Sequence, residues 1–108
     1  MENKQGEMEE YEKLIEISPP WYVSNIKVSR EVNFGIPKFE VSITNDKESN
    51  CFTMKGANDL DIIPAIYQSE RVVISKELGC FREFGSIRVE CFDDGDYSEY
   101  WCDHFENA

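Results

Sequence analysis

Two stretches of strict two-residue alternation constrain this 108-residue chain more than any other feature. In residues 38–44, Phe39, Val41 and Ile43 alternate with Lys38, Glu40, Ser42 and Thr44. In residues 84–92, Ile87, Val89 and Cys91 alternate with Ser86, Arg88 and Glu90. A period of two sends alternate side chains to opposite faces of a sheet, so both segments read as half-buried strands. Residues 21–30 are rich in aromatic and β-branched side chains, with Tyr22, Ile26 and Val28 in one set, and residues 51–55 form a further short strand. Turn chemistry at Gly35 and Pro37 and the polar run 45–50 link these three, which predicts an antiparallel meander. Residues 71–76 alternate around Val72 and Ile74, and Gly79 marks a turn.

The two ends follow a different period. In residues 7–16, Met8, Tyr11, Leu14 and Ile15 fall near one helical face, and Glu9 with Lys13 makes an i,i+4 pair. Pro19 and Pro20 stop any helix there. Residues 1–6 are expected to fray. Near the C-terminus, Tyr97, Tyr100, Trp101, His104 and Phe105 follow the i, i+3, i+4, i+7, i+8 spacing of a helix, and Asp96 with Glu99 resembles a capping box. So short a helix must dock on a sheet or on a partner. Residues 60–67 fit either an edge strand or a short helical turn, because Pro64 interrupts the apolar run. The expected fold is one α+β domain over residues 1–108: a mainly antiparallel sheet of five or six strands with a short helix at each terminus.

Charge divides the chain more sharply than hydropathy. Residues 1–16 hold six acids and two bases, residues 17–89 nine of each, and residues 90–108 seven acids and no base, which gives net charges of −4, 0 and −7 and the −11 of the whole chain. Direct nucleic-acid binding is disfavoured, because neutralising phosphates takes clustered Lys and Arg. A 41% hydrophobic content argues against wholesale disorder. No apolar run approaches the roughly 18 residues of a membrane helix, and the N-terminus lacks the apolar stretch of a signal peptide, so a cytoplasmic location without membrane contact is expected.

Cys51, Cys80, Cys91 and Cys102 form no Cys-x-x-Cys pair, which weakens a zinc reading and leaves them as small packing residues. Cys102 and His104 lie two apart, so a helix would not put them on one face as metal ligands or as a nucleophile and base. Asp93, Asp94 and Asp96 around Gly95 depart from the calcium-loop spacing. No phosphate loop or nucleophile elbow appears, so neither an enzyme nor a cofactor is expected. Residues 15–23, Ile-Glu-Ile-Ser-Pro-Pro-Trp-Tyr-Val, resemble the opening segment of some bacterial transposases. The zinc knuckle that follows in that family is absent, since Cys51-Phe52-Thr53-Met54 stands in its place, and no function is carried over.

The base-free C-terminal segment interleaves acids with aromatics, a composition suited to a basic partner held by charge and apolar anchors together. The candidate partner-binding residues are Glu90, Asp93, Asp94, Asp96, Tyr97, Glu99, Tyr100, Trp101, Asp103 and Glu106. The leading expectation is a non-catalytic acidic inhibitor that binds the basic cleft of a nuclease or nucleic-acid-binding protein. It would act as an immunity protein to a nuclease toxin or as a phage-type antagonist of a defence nuclease, with nucleic-acid mimicry as one route. The alternatives are an accessory or scaffold subunit that binds through a sheet edge or the Trp21-Tyr22 region, and a small-ligand or zinc sensor using Cys80 or Cys102.

Overall fold

The computed structural model describes residues 10–30, 36–57, 59–78 and 86–107, and in these both chain ends are strands. One antiparallel sheet contains β1 (Glu10–Ile17), β5 (Arg71–Leu78), β6 (Ile87–Asp93) and β7 (Asp96–Cys102), in the order β1-β5-β6-β7. The other contains β2 (Tyr22–Ser29), β3 (Lys38–Thr44), β4 (Ser49–Lys55) and β8 (His104–Asn107), in the order β2-β3-β4-β8. A single described helix, α1 (Ile62–Gln68), lies mid-chain between β4 and β5.

This corrects the expected α+β fold. The chain forms eight described strands in two sheets, not five or six in one, and the described residues of both expected terminal helices, 10–16 and 96–105, lie in strands and a corner instead. At the N-terminal end a β-bulge explains the misleading period. The β1–β5 register shifts between Lys13 and Ile15, so Leu14 and Ile15 both pack against the core. The bulge converts a two-residue alternation into a spacing that mimics one helical face. At the C-terminal end, β7 carries aromatics on both of its faces, and their combined spacing imitates a helix. The meander β2-β3-β4 is present as expected, and residues 71–76 and 87–92 are strands. Residues 1–6, Met8, Glu9, the turn residues Asn33 and Gly35, Gly79, Cys80 and Phe84 lie outside the described residues.

The two sheets face each other across one core. Phe39, Val41, Ile43, Phe52 and Met54 enter it from the second sheet, and Ile17, Val72, Ile74, Ile87, Val89, Cys91 and Cys102 from the first. Cys102 Sγ lies 4.0 Å from Met54 Sδ, so the layers touch directly. α1 contacts β2 in one sheet and β6 in the other, and its Ile62 and Ile66 are fully buried. Pro64 falls in the first turn of α1, where its missing N–H has no helical partner to lose.

The chain crosses between layers three times, once through α1 between β4 and β5 and twice at tight corners. Residues 18–21, which include a cis Pro19–Pro20 bond, carry β1 into β2. Asp103 alone carries β7 into β8. Its N–H donates to the Lys55 carbonyl at 3.0 Å. Its side chain packs over Gly56, which has a φ of 75° and leaves no room for a Cβ.

Candidate functional site

The acidic segment folds as the hairpin β6–β7. Asp93 and Asp96 close it, and Asp94 and Gly95 make the turn with φ values of 48° and 87°. Positive φ at both central positions matches the twist of a two-residue hairpin, and Asp followed by Gly tolerates it better than most pairs. Asp93, Asp94 and Asp96 are therefore grouped at an exposed tip.

Pairing across the hairpin builds three outward rungs: Phe92 with Tyr97, Glu90 with Glu99, and Arg88 with Trp101. The Phe92 and Tyr97 rings meet at 5.1 Å between centroids. The Tyr97 hydroxyl sits 2.9 Å from Glu90 Oε2 and 2.9 Å from Glu99 Oε1. Trp101 Nε1–H donates to Glu99 Oε2 at 3.0 Å, and Arg88 Nη2 lies 3.3 Å from Glu90 Oε1. Partial burial, reinforced by the two carboxylates, pushes the Tyr97 phenol well above its ordinary value.

The face continues across the sheet. The Arg71 guanidinium lies 4.9 Å from the Phe92 ring centre, and Arg71 Nε donates to Glu16 Oε2 at 2.9 Å. Lys13 donates to the other Glu16 oxygen at 2.9 Å. Hydrogen bonds from Lys13 and then Arg71 hold the Glu16 carboxyl down to about 2. The Arg88 guanidinium lies 3.7 Å from the centre of the Tyr11 ring. Because β5 separates β1 from β6, that contact bridges over β5, where Ser75 and Glu77 are buried. Cations stacked on ring faces contribute roughly 0.5–1 kcal/mol each at exposed sites.

The hairpin thus brings together Glu90, Asp93, Asp94, Asp96, Tyr97, Glu99 and Trp101. It does not gather all ten expected residues. Tyr100 turns inward against the core, Asp103 forms the corner over Gly56, and exposed Glu106 pairs with Thr53 in the second sheet. Phe105 also turns inward, 5.2 Å from the Phe52 ring. Tyr11, Glu16, Arg71, Arg88 and Phe92 belong to the same face and are not among the ten candidates. The alternation of residues 84–92 already sets Arg88 and Glu90 opposite the core set, and the helical spacing of residues 7–16 hides Tyr11.

The described cysteines differ from the acids in character. Cys91 and Cys102 are buried, and Cys51 is half-buried. Burial pushes all three thiols up, Cys102 to about 12 with help from the Asp103 charge, so the thiolate form is disfavoured at each. Among the described residues no group of three or more His, Cys, Asp or Glu side chains is placed to hold a metal ion. No described helix is long and apolar enough to cross a membrane.

A groove of about 560 Å³ opens at the β1–β2 corner, lined by Ile17, Pro19, Trp21, Tyr22, Glu70 and Arg71 among others. It adjoins the hairpin, since the Glu70 N–H donates to the Phe92 carbonyl at 3.0 Å and Arg71 pairs with Phe92. The acidic tip and the aromatic corner therefore lie at the same end of the first sheet. In comparisons with known proteins, no family model, curated protein or solved structure matches the chain.

Proposed function

We propose that this protein is a non-catalytic acidic inhibitor that seats its β6–β7 hairpin in the basic cleft of a nuclease or other nucleic-acid-binding protein. The observation that carries this reading is the hairpin tip, where Asp93, Asp94 and Asp96 stand exposed beside Tyr97, itself 51% exposed. Acids projecting from a rigid two-residue turn steer a basic partner and fix its orientation. The adjoining ring of Tyr97 supplies apolar area at low entropic cost. The other acids of the hairpin, Glu90 and Glu99, are hydrogen-bonded and hold the platform in shape.

A second reading is an accessory subunit docked through the Trp21-Tyr22 corner. The groove there and the 55% exposure of Tyr22 favour it. Affinity capture from host lysate at low and high salt, followed by an activity assay on what elutes, separates the two. The inhibitor reading expects a basic nuclease, released by salt, whose activity the wild-type protein suppresses. It also expects the variant Asp93→Lys/Asp94→Asn/Asp96→Lys to lose that suppression. A partner retained by this variant and lost on Tyr22→Ala would support the accessory reading instead.

A further inference from the structure

Four described strands lie at sheet edges: β1 and β7 in the first sheet, β2 and β8 in the second. Exposed edges invite pairing with other chains, and proteins blunt them with bulges, lysines, prolines or short length. Three of these edges carry such devices. β1 has a bulge at Leu14 and contains Lys13, β2 has a bulge between Val23 and Asn25 and contains Lys27, and β8 spans four residues. β7 carries none of them. Its seven residues pair with β6 in unbroken register, and it contains no lysine, arginine or proline.

The hairpin fixes which backbone groups face the open side. The closing pair of a two-residue hairpin is hydrogen-bonded, and the pairs alternate from there. Asp93 with Asp96 closes the hairpin, so Tyr97 and Glu99 point their own N–H and C=O groups away from β6. Charge along this edge has one sign. Asp96 and Glu99 lie in the strand, and Asp93 and Asp94 lie at the tip beside it. Glu99 also stands directly across from Glu90, and Arg88 is the base that reaches this pair, which leaves the trio formally at −1.

We infer that the Asp96–Glu99 stretch of β7 accepts an extended basic segment of the partner protein as an added antiparallel or parallel strand, with a lysine or arginine beside Glu99. The proposal rests on the reading of this hairpin as the seat of a basic partner, and adds how the partner is held. Backbone pairing supplies affinity along the edge, and alternate side chains supply selectivity for bases. A second copy of this chain fits poorly there, because pairing two β7 edges brings acids of like charge together.

The test uses the full chain and two synthetic peptides of alternating lysine and threonine, identical except that one is N-methylated at every second residue. N-methylation keeps the charge and removes one row of backbone donors. Binding is followed by amide NMR shifts and by hydrogen exchange at Tyr97 and Glu99. The expected result is binding of the unmodified peptide with slowed exchange at those two amides, and about tenfold weaker binding of the methylated peptide. Equal binding of both, with shifts confined to the tip, would overturn strand addition while leaving charge-guided docking intact. Failure of both to bind would also overturn strand addition, and the inhibitor reading would then stand or fall on its own variant in the capture assay. Exchange protection at the same amides in peptide-free protein that rises with its concentration would overturn the proposal in favour of a second copy.

Discussion

Tyr97 has one proton to offer and two carboxylate oxygens within 2.9 Å. Either hydrogen bond stabilises the neutral phenol, and ionisation would set a third negative charge between Glu90 and Glu99. Partial burial first, and then these carboxylates, raise its folded-state pKa, so the stability this group contributes is complete below its ordinary value of 10 and is lost as pH climbs through the higher folded value. Ultraviolet titration of the folded protein should show a late phenolate phase that Tyr97→Phe removes; amplitude lost instead from the ordinary phase near pH 10 would mean the hydroxyl is not held. Glu16 works in the opposite sense. Its carboxyl falls from the usual 4.5 to about 2, so its contribution is present above pH 4.5 and disappears as pH falls toward 2. Glu16→Gln should lower the melting temperature at pH 7, and the gap from wild type should close by pH 2. A gap that persists at pH 2 would show that the effect is not the ion pairs with Lys13 and Arg71.

Two turns show how backbone demands specify elements. Gly95 has a φ of 87° with open space around it, whereas Gly56 has a φ of 75° and the Asp103 side chain against it. Gly95→Ala carries only the left-handed penalty of about 1–2 kcal/mol. Gly56→Ala carries that penalty and a steric one, so it should be the more destabilising by about 1 kcal/mol or more in urea unfolding. Equal losses would show that the β7–β8 corner yields easily. These elements also mark where the sequence was legible. β3 and β6 were readable because each buries one clean alternating face. β1 and β7 were misread for reasons that are physical. A bulge placed Leu14 and Ile15 together on the core side, and β7 set Tyr97 and Trp101 outward but Tyr100 inward. Asp94-Gly95 is a strong hairpin signal, but the capping-box pattern of Asp96 with Glu99 and the aromatic spacing after it point to a helix start. The tip acids survived that error as a group because four consecutive residues stay together in either structure. Tyr100, Asp103 and Glu106 did not, because a strand alternates faces and the chain changes sheets at Asp103.

At the scale of the molecule, one shared core ties both sheets and α1 together, so the docking face is only as rigid as the layer beneath it. Phe52 is fully buried and stacks on Phe105 of β8. Phe52→Ala should cost about 3–5 kcal/mol in global stability. A loss confined to β8, with the first sheet still protected in hydrogen exchange, would show that the layers unfold separately. Charge sets the long-range behaviour. The chain carries −11, and the base-free segment from residue 90 onward holds −7 of it. Steering by such a segment weakens as salt shortens the screening length to about 8 Å at physiological ionic strength. The most direct measurement is the association rate of the captured partner with wild-type protein and with Asp93→Lys/Asp94→Asn/Asp96→Lys, across a salt series. Docking through the acidic tip predicts a fast wild-type rate that falls about 10- to 100-fold with added salt, and a variant that is slow and nearly salt-independent. Equal rates with equal salt dependence for the two proteins would contradict it.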